Sequence, residues 1–95
     1  VIKSFKLAGR TFTVETVDAL HSDALGRAIS DLNKILIYTK WQSGDPVPES
    51  TQEQTLLHEV LHCIFEVLGR DDLSQDETLV QSVSLLLHQY RETAK

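Results

Sequence analysis

The sequence predicts an α+β domain in which a small antiparallel β-sheet of about four strands precedes two helices. Three observations predict it. The first half alternates apolar and polar side chains around short turn-forming stretches. A break rich in proline and glycine, QSGDPVPES at 42–50, then interrupts regular structure. Beyond it, apolar residues recur at the three- and four-residue spacing of buried helical stripes.

Taken in order, KSFKLAGRTFTVETV (3–17) reads as a β-hairpin. Phe5 and Leu7 lead into a Gly9-Arg10 turn, and Phe12, Val14 and Val17 lead out of it. DALHSDA (18–24) reads as a loop or a single turn. In LGRAISDLNKILIYTKW (25–41), Ala28 and Ile29 precede the polar turn SDLNK, and Ile35, Leu36, Ile37 and Tyr38 form a β-branched and aromatic run. The break at 42–50 is a loop within one fold. Ser50 with Glu53 three residues later is a capping box that opens a helix, and Gly69 closes it. Its stripe is Leu56, Leu57, Val60, Leu61, Ile64, Phe65 and Leu68. A second helix covers roughly residues 75–91, with Leu79, Val80, Val83, Leu86, Leu87 and Tyr90 as its apolar face.

The 95 residues make a single domain, 1–95, whose thin core would benefit from a bound metal ion. A formal charge of −5 argues against nucleic acid or an anionic membrane as partner. Cys63 is the only cysteine, so no internal disulfide forms. No apolar run approaches the roughly 18 residues of a membrane span, and the expected compartment is the cytoplasm.

Within LLHEVLHCIFEVLG (56–69), His58 and His62 stand one helical turn apart, about 40° around the axis. Both imidazoles can therefore reach one ion at about 2.0–2.1 Å. Glu59, rotated by about 100° from His58, lies beside that face, where a carboxylate can serve an open coordination position as general base. The plainer alternative is two histidines satisfied by carbonyls or water. Burying His58, Glu59 and His62 in so apolar a helix without partners costs several kcal/mol, and that favours a metal site.

A tetrahedral catalytic site needs a third protein ligand. Phe65 and Leu68 occupy the positions that an H-x-x-G-x-x-H extension would require, so the extension is absent. The remaining candidates are Asp71, Asp72, Asp76 and Glu77. An antiparallel second helix would bring Glu77 towards the motif, on the flank of its inward face. Two capping schemes compete: Ser74 with Glu77, which would occupy Glu77, or Asp72 with Gln75, which would leave it free.

The chain resembles the short HExxH metallopeptidases of phages and prophages, relatives of the gluzincin and ImmA/IrrE-like peptidases. GRAISDLNKILIYT, QTLLHEVLHCIFEVLG and LSQDETLVQSV carry the resemblance, which covers most of the sequence. It implies that His58, His62 and Glu77 bind one Zn²⁺ per chain, that Glu59 is the catalytic carboxylate, and that the substrate is a peptide or protein. It also implies that the strand at 35–39, with Ile37, Tyr38 and Thr39, holds an extended substrate by adding it to the sheet edge. Trp41 and the proline loop are candidates to roof the cleft. A second electrophile is not evident; Tyr38, Tyr90 and His21 are weak candidates, and His88 lies too far along its helix. Cys63 reads as a buried apolar-like residue. Glu66, on the His62 face, either holds a histidine ring or faces solvent.

Overall fold

The computed structural model describes residues 1–18 and 24–95. His21 and most of the DALHSDA stretch lie outside the described residues. The elements are β1 (Ser4–Leu7), β2 (Arg10–Val17), β3 (Gly26–Ile29), a 3₁₀ turn (Ser30–Leu32), β4 (Lys34–Tyr38), α1 (Glu49–Val67), α2 (Asp71–Ser74) and α3 (Glu77–Thr93). The α+β class and the order of sheet before helices are as the sequence predicts.

The sheet differs from the expected all-antiparallel arrangement in one ladder. Its order is β1-β2-β4-β3, and β2 pairs with β4 in parallel. Pairing of β1 with β2 and of β3 with β4 is antiparallel, as short turns demand. The β3–β4 hairpin docks on β2 through β4 because KILIY is its more apolar strand. Ile35 and Ile37 are fully buried and Tyr38 nearly so, as a central strand requires. GRAI, which carries a glycine and an exposed arginine, is left at the edge. The first hairpin turns on Ala8 and Gly9, one residue earlier than expected. Both have positive φ, and Leu7 pairs with Arg10, the geometry of a two-residue turn.

Alternation along β2 sends Phe12 and Val14 inward, where they join Ile35, Ile37, Leu56 and Cys63 in the core. Phe5 stacks on Phe12 with ring centroids 5.2 Å apart. The expected capping box at Ser50 and Glu53 does not form. The helix opens two residues earlier, after Pro48, without a side-chain cap. Gly69 does close α1: at φ 72° its amide donates to Glu66 O, and the Arg70 amide donates to Phe65 O. This pair of bonds satisfies the last carbonyls and reverses the chain.

The second helical region divides into two pieces. One turn, α2, follows the reversal, and α3 starts afresh with Asp76 as its cap, its carboxylate accepting from the Leu79 amide. Neither expected capping scheme is used. α3 lies against α1 through Val80 and the fully buried Ser84, whose hydroxyl accepts from Gln54 Nε2 at 3.0 Å. The first half of the expected apolar face is covered, with Val80 buried and Leu79 and Val83 half-buried, whereas Leu86, Leu87 and Tyr90 are exposed. Among the described residues, no helix is long and apolar enough to cross a membrane.

Candidate metal centre

α1 presents His58 and His62 one turn apart on the face turned towards α2 and α3, and the reversal at Gly69 brings the first turn of α3 over them. Because Asp76 caps α3, the Glu77 side chain is free of any capping duty. Its Oε2 lies 3.2 Å from His58 Nε2 and its Oε1 lies 3.1 Å from His62 Nε2. The imidazoles are 15–17% exposed, whereas Glu77 is 68% exposed, so the cluster is walled by α1 and opens to solvent on the carboxylate side.

The other ring nitrogens have partners of their own. His58 Nδ1 donates to Gln81 Oε1 at 2.7 Å, and His62 Nδ1 lies 3.1 Å from Ser74 Oγ. An amide oxygen only accepts, so His58 carries its proton on Nδ1 and turns the Nε2 lone pair towards Glu77. The same assignment at His62 follows if Ser74 accepts. Two ring lone pairs and a carboxylate that converge this closely repel one another unless a proton on each ring or a metal ion lies between them.

The residues fit an ion. One ligand atom from each of His58, His62 and Glu77 can be chosen so that all lie within 4.8 Å of one another. Ligands about 2.0–2.1 Å from a tetrahedral ion stand roughly 3.3 Å apart; each imidazole is close to that distance from one of the two Glu77 oxygens, and the group as a whole would draw together slightly around an ion. The group can bind a metal. Two imidazoles and one carboxylate form a donor set that suits zinc and leaves a coordination position open.

Glu59 is buried beside this group. Burial raises its carboxyl pKa above the ordinary value; His58 and His62 oppose the rise, Glu77 adds to it, and a hydrogen bond from the Ala28 amide opposes it. Ala28 belongs to β3, and Gly26 of the same strand explains the close approach. A Cβ on Gly26 would stand 2.6 Å from Thr55 Cγ2 and 3.2 Å from Glu59 Cγ. Helix α1 therefore presses directly on the edge strand, and the Glu59 carboxyl meets the strand's backbone.

A cleft of about 580 Å³ runs between β3 and the helices, bordered by residues 24–28, Gln54, Thr55, His58, Glu59, His62, Glu66, Glu77 and Gln81. The structure thus brings together His58, Glu59, His62 and Glu77 and leaves the other expected site residues apart. Ile37 and Tyr38 lie buried in β4, which is paired on both sides and has no free edge for a substrate; Thr39 follows it and bonds back to Val17. The sheet's edge strands are β1 and β3, and of these β3 borders the cleft. Trp41 is exposed and does not border the cleft. His88 pairs with Glu92 at 3.2 Å, one turn along its own helix, and Tyr90 is exposed. Cys63 is buried in the core as expected, its thiol pushed up to about 11 chiefly by burial.

Sequence reasoning missed Gln81, Ser74 and Gly26. Gln81 stands one turn after Glu77, a spacing that places it on the same face, and a glycine within a strand pattern signals close backbone approach. Compared with known proteins, the chain matches no family model, no curated protein and no solved structure. Its own geometry therefore has to carry the functional reading.

Proposed function

We propose that the protein is a zinc-dependent peptidase in which His58, His62 and Glu77 hold the ion and Glu59 is the general base. The observation that carries this reading is the meeting of both Nε2 atoms with one carboxylate at 3.1–3.2 Å, beside a buried second carboxyl. When bound, the ion would supply a Lewis acid that acidifies water and polarises a carbonyl. The chain's residues supply the rest. Gln81 and Ser74 orient the rings, and Glu59, raised by burial, is suited to accept a proton from water and return it to the leaving nitrogen. The outer edge of β3, an edge strand of the sheet, borders the cleft and suits an extended peptide that adds to it.

One observation favours a second reading, a zinc-stabilised module that binds a partner without turnover. Among the described residues, no tyrosine and no third histidine borders the cleft to steady a developing oxyanion. The intact base Glu59 speaks for catalysis, since a purely structural ion has no use for it. Digestion of an unbiased peptide library separates the two. The peptidase reading predicts cleavage by the zinc-loaded protein that disappears in Glu59→Gln; identical digests from both would put the binding module in front.

A further inference from the structure

Glu66 stands one helical turn beyond His62 on the same face of α1, about 6 Å further along the axis, and borders the same cleft. The two other carboxyls of the cleft are compensated: Glu59 by the Ala28 amide and the nearby imidazoles, Glu77 by both rings. Glu66 is not. Its Oε2 is shut off from water and has no hydrogen-bond partner, and Glu66 makes no ion pair among the described residues. The residue as a whole is half-buried, and no hydrogen bond joins it to a histidine ring, one of the two roles the sequence offered.

The nearby cations do not answer it. Arg10 lies near Cys63, but its guanidinium bonds Asn33 Oδ1 and Ser30 O and rests over the Phe12 ring. Arg27 borders the cleft through β3. Gly26 faces α1, so strand alternation puts the Arg27 side chain on the opposite face of the sheet. A half-shielded carboxylate with no donor carries a desolvation cost that a cationic donor entering the cleft would relieve. The group that fits is an ammonium or guanidinium on a flexible stem, delivered by a chain lying along β3.

We propose that Glu66 forms a subsite for a lysine or arginine side chain, so that the cleft selects basic peptides. An extended chain advances about 3.3 Å per residue, and one turn of α1 therefore corresponds to a side chain within about two residues of the metal centre. The formal charge of −5 draws in the same class of ligand. The inference deepens the peptidase reading and rests on it for the identity of the ligand as a peptide.

The test measures binding without turnover. Zinc-loaded Glu59→Gln protein is titrated by fluorescence anisotropy with peptides that differ only at one position, scanned along the chain, where Lys, Arg, norleucine or Glu is placed. At one position the Lys and Arg peptides should bind at least ~10-fold more tightly than norleucine, and the Glu peptide more weakly still. Adding Glu66→Gln should shrink that ratio to within about twofold. Equal affinities at every position, no binding of any basic peptide at millimolar concentration, or a basic preference that survives Glu66→Gln would each overturn the subsite. If Glu66→Gln does not fold, the ligand series on the intact Glu66 decides. Hydrolysis assayed on the Glu59 protein is a separate readout. Cleavage without basic preference would remove the subsite and keep the peptidase reading, whereas selective binding without cleavage would do the reverse.

Discussion

Gln81 fixes what His58 offers, because an acceptor on Nδ1 leaves an Nε2 lone pair for an ion, and Ser74 does the same for His62 when its hydroxyl accepts. Partners of this kind commonly contribute 10–100-fold to metal affinity. Gln81→Ala should therefore weaken zinc binding by roughly that factor, measured by competition with a chromophoric chelator, while the metal-free protein melts as before. A wild-type affinity would mean that His58 is oriented by its helix alone. Cys63 gives a second check at this scale. Its thiol rises from an ordinary 9.0 to about 11, so the folded state disfavours the thiolate. Stability from this source is fully present below about pH 9 and is lost as pH rises towards 11. Iodoacetamide at pH 8 should leave folded protein unlabelled and add one adduct after unfolding, as read by intact mass. The pair His58 and His62 was legible because four-residue spacing has one geometric meaning on a helix. Glu77 was only half legible, since the same letters also spell a cap. Gln81 and Ser74 depended on how α3 crosses α1, which no local pattern specifies.

At the level of elements, the close contact between α1 and β3 sets the site. Gly26 lets Thr55 and Glu59 lie against the strand, and a methyl group there would push into Thr55 Cγ2. Gly26→Ala should cost roughly 1–3 kcal/mol in urea denaturation, the usual result of overpacking, and should pull Glu59 away from the Ala28 amide. An unchanged midpoint would show that helix and strand separate freely. The helix ends illustrate what sequence can and cannot say. Gly69 closes α1 because only a residue tolerant of positive φ makes that reversal, and glycine announces itself. Ser50 and Glu53 spelled a capping box, but Pro48, with its φ already at −56°, starts the helix earlier and leaves the box inside the first turns. The α3 stripe misled for another reason. Its inner surface is occupied by Val80, Ser84, Gln81 and Glu77, so the site and the core share one face and Leu86 and Tyr90 are turned out.

For the molecule as a whole, the division into a strand half and a helix half was plain from periodicity, with 42–50 as the boundary. The sheet order was not, because two antiparallel hairpins can join through either outer strand. The burial of Ile35, Ile37 and Tyr38 decides for β4, and that choice shapes the cleft. It moves the sheet edge from residues 35–39 to β3, next to Glu59, and turns a buried strand expected to bind substrate into the support of the strand that borders the cleft. The helices then close over this edge from the other side, so that one small core positions the Glu59 carboxyl, the His58, His62 and Glu77 group and the cleft together. The most direct test of this account is the zinc content of the purified protein by native mass spectrometry after saturation and desalting. It predicts one ion per chain in the wild type and in Glu59→Gln, and none in His62→Ala or Glu77→Ala. A metal-free wild type, or a Glu77→Ala protein that keeps its zinc, would contradict it.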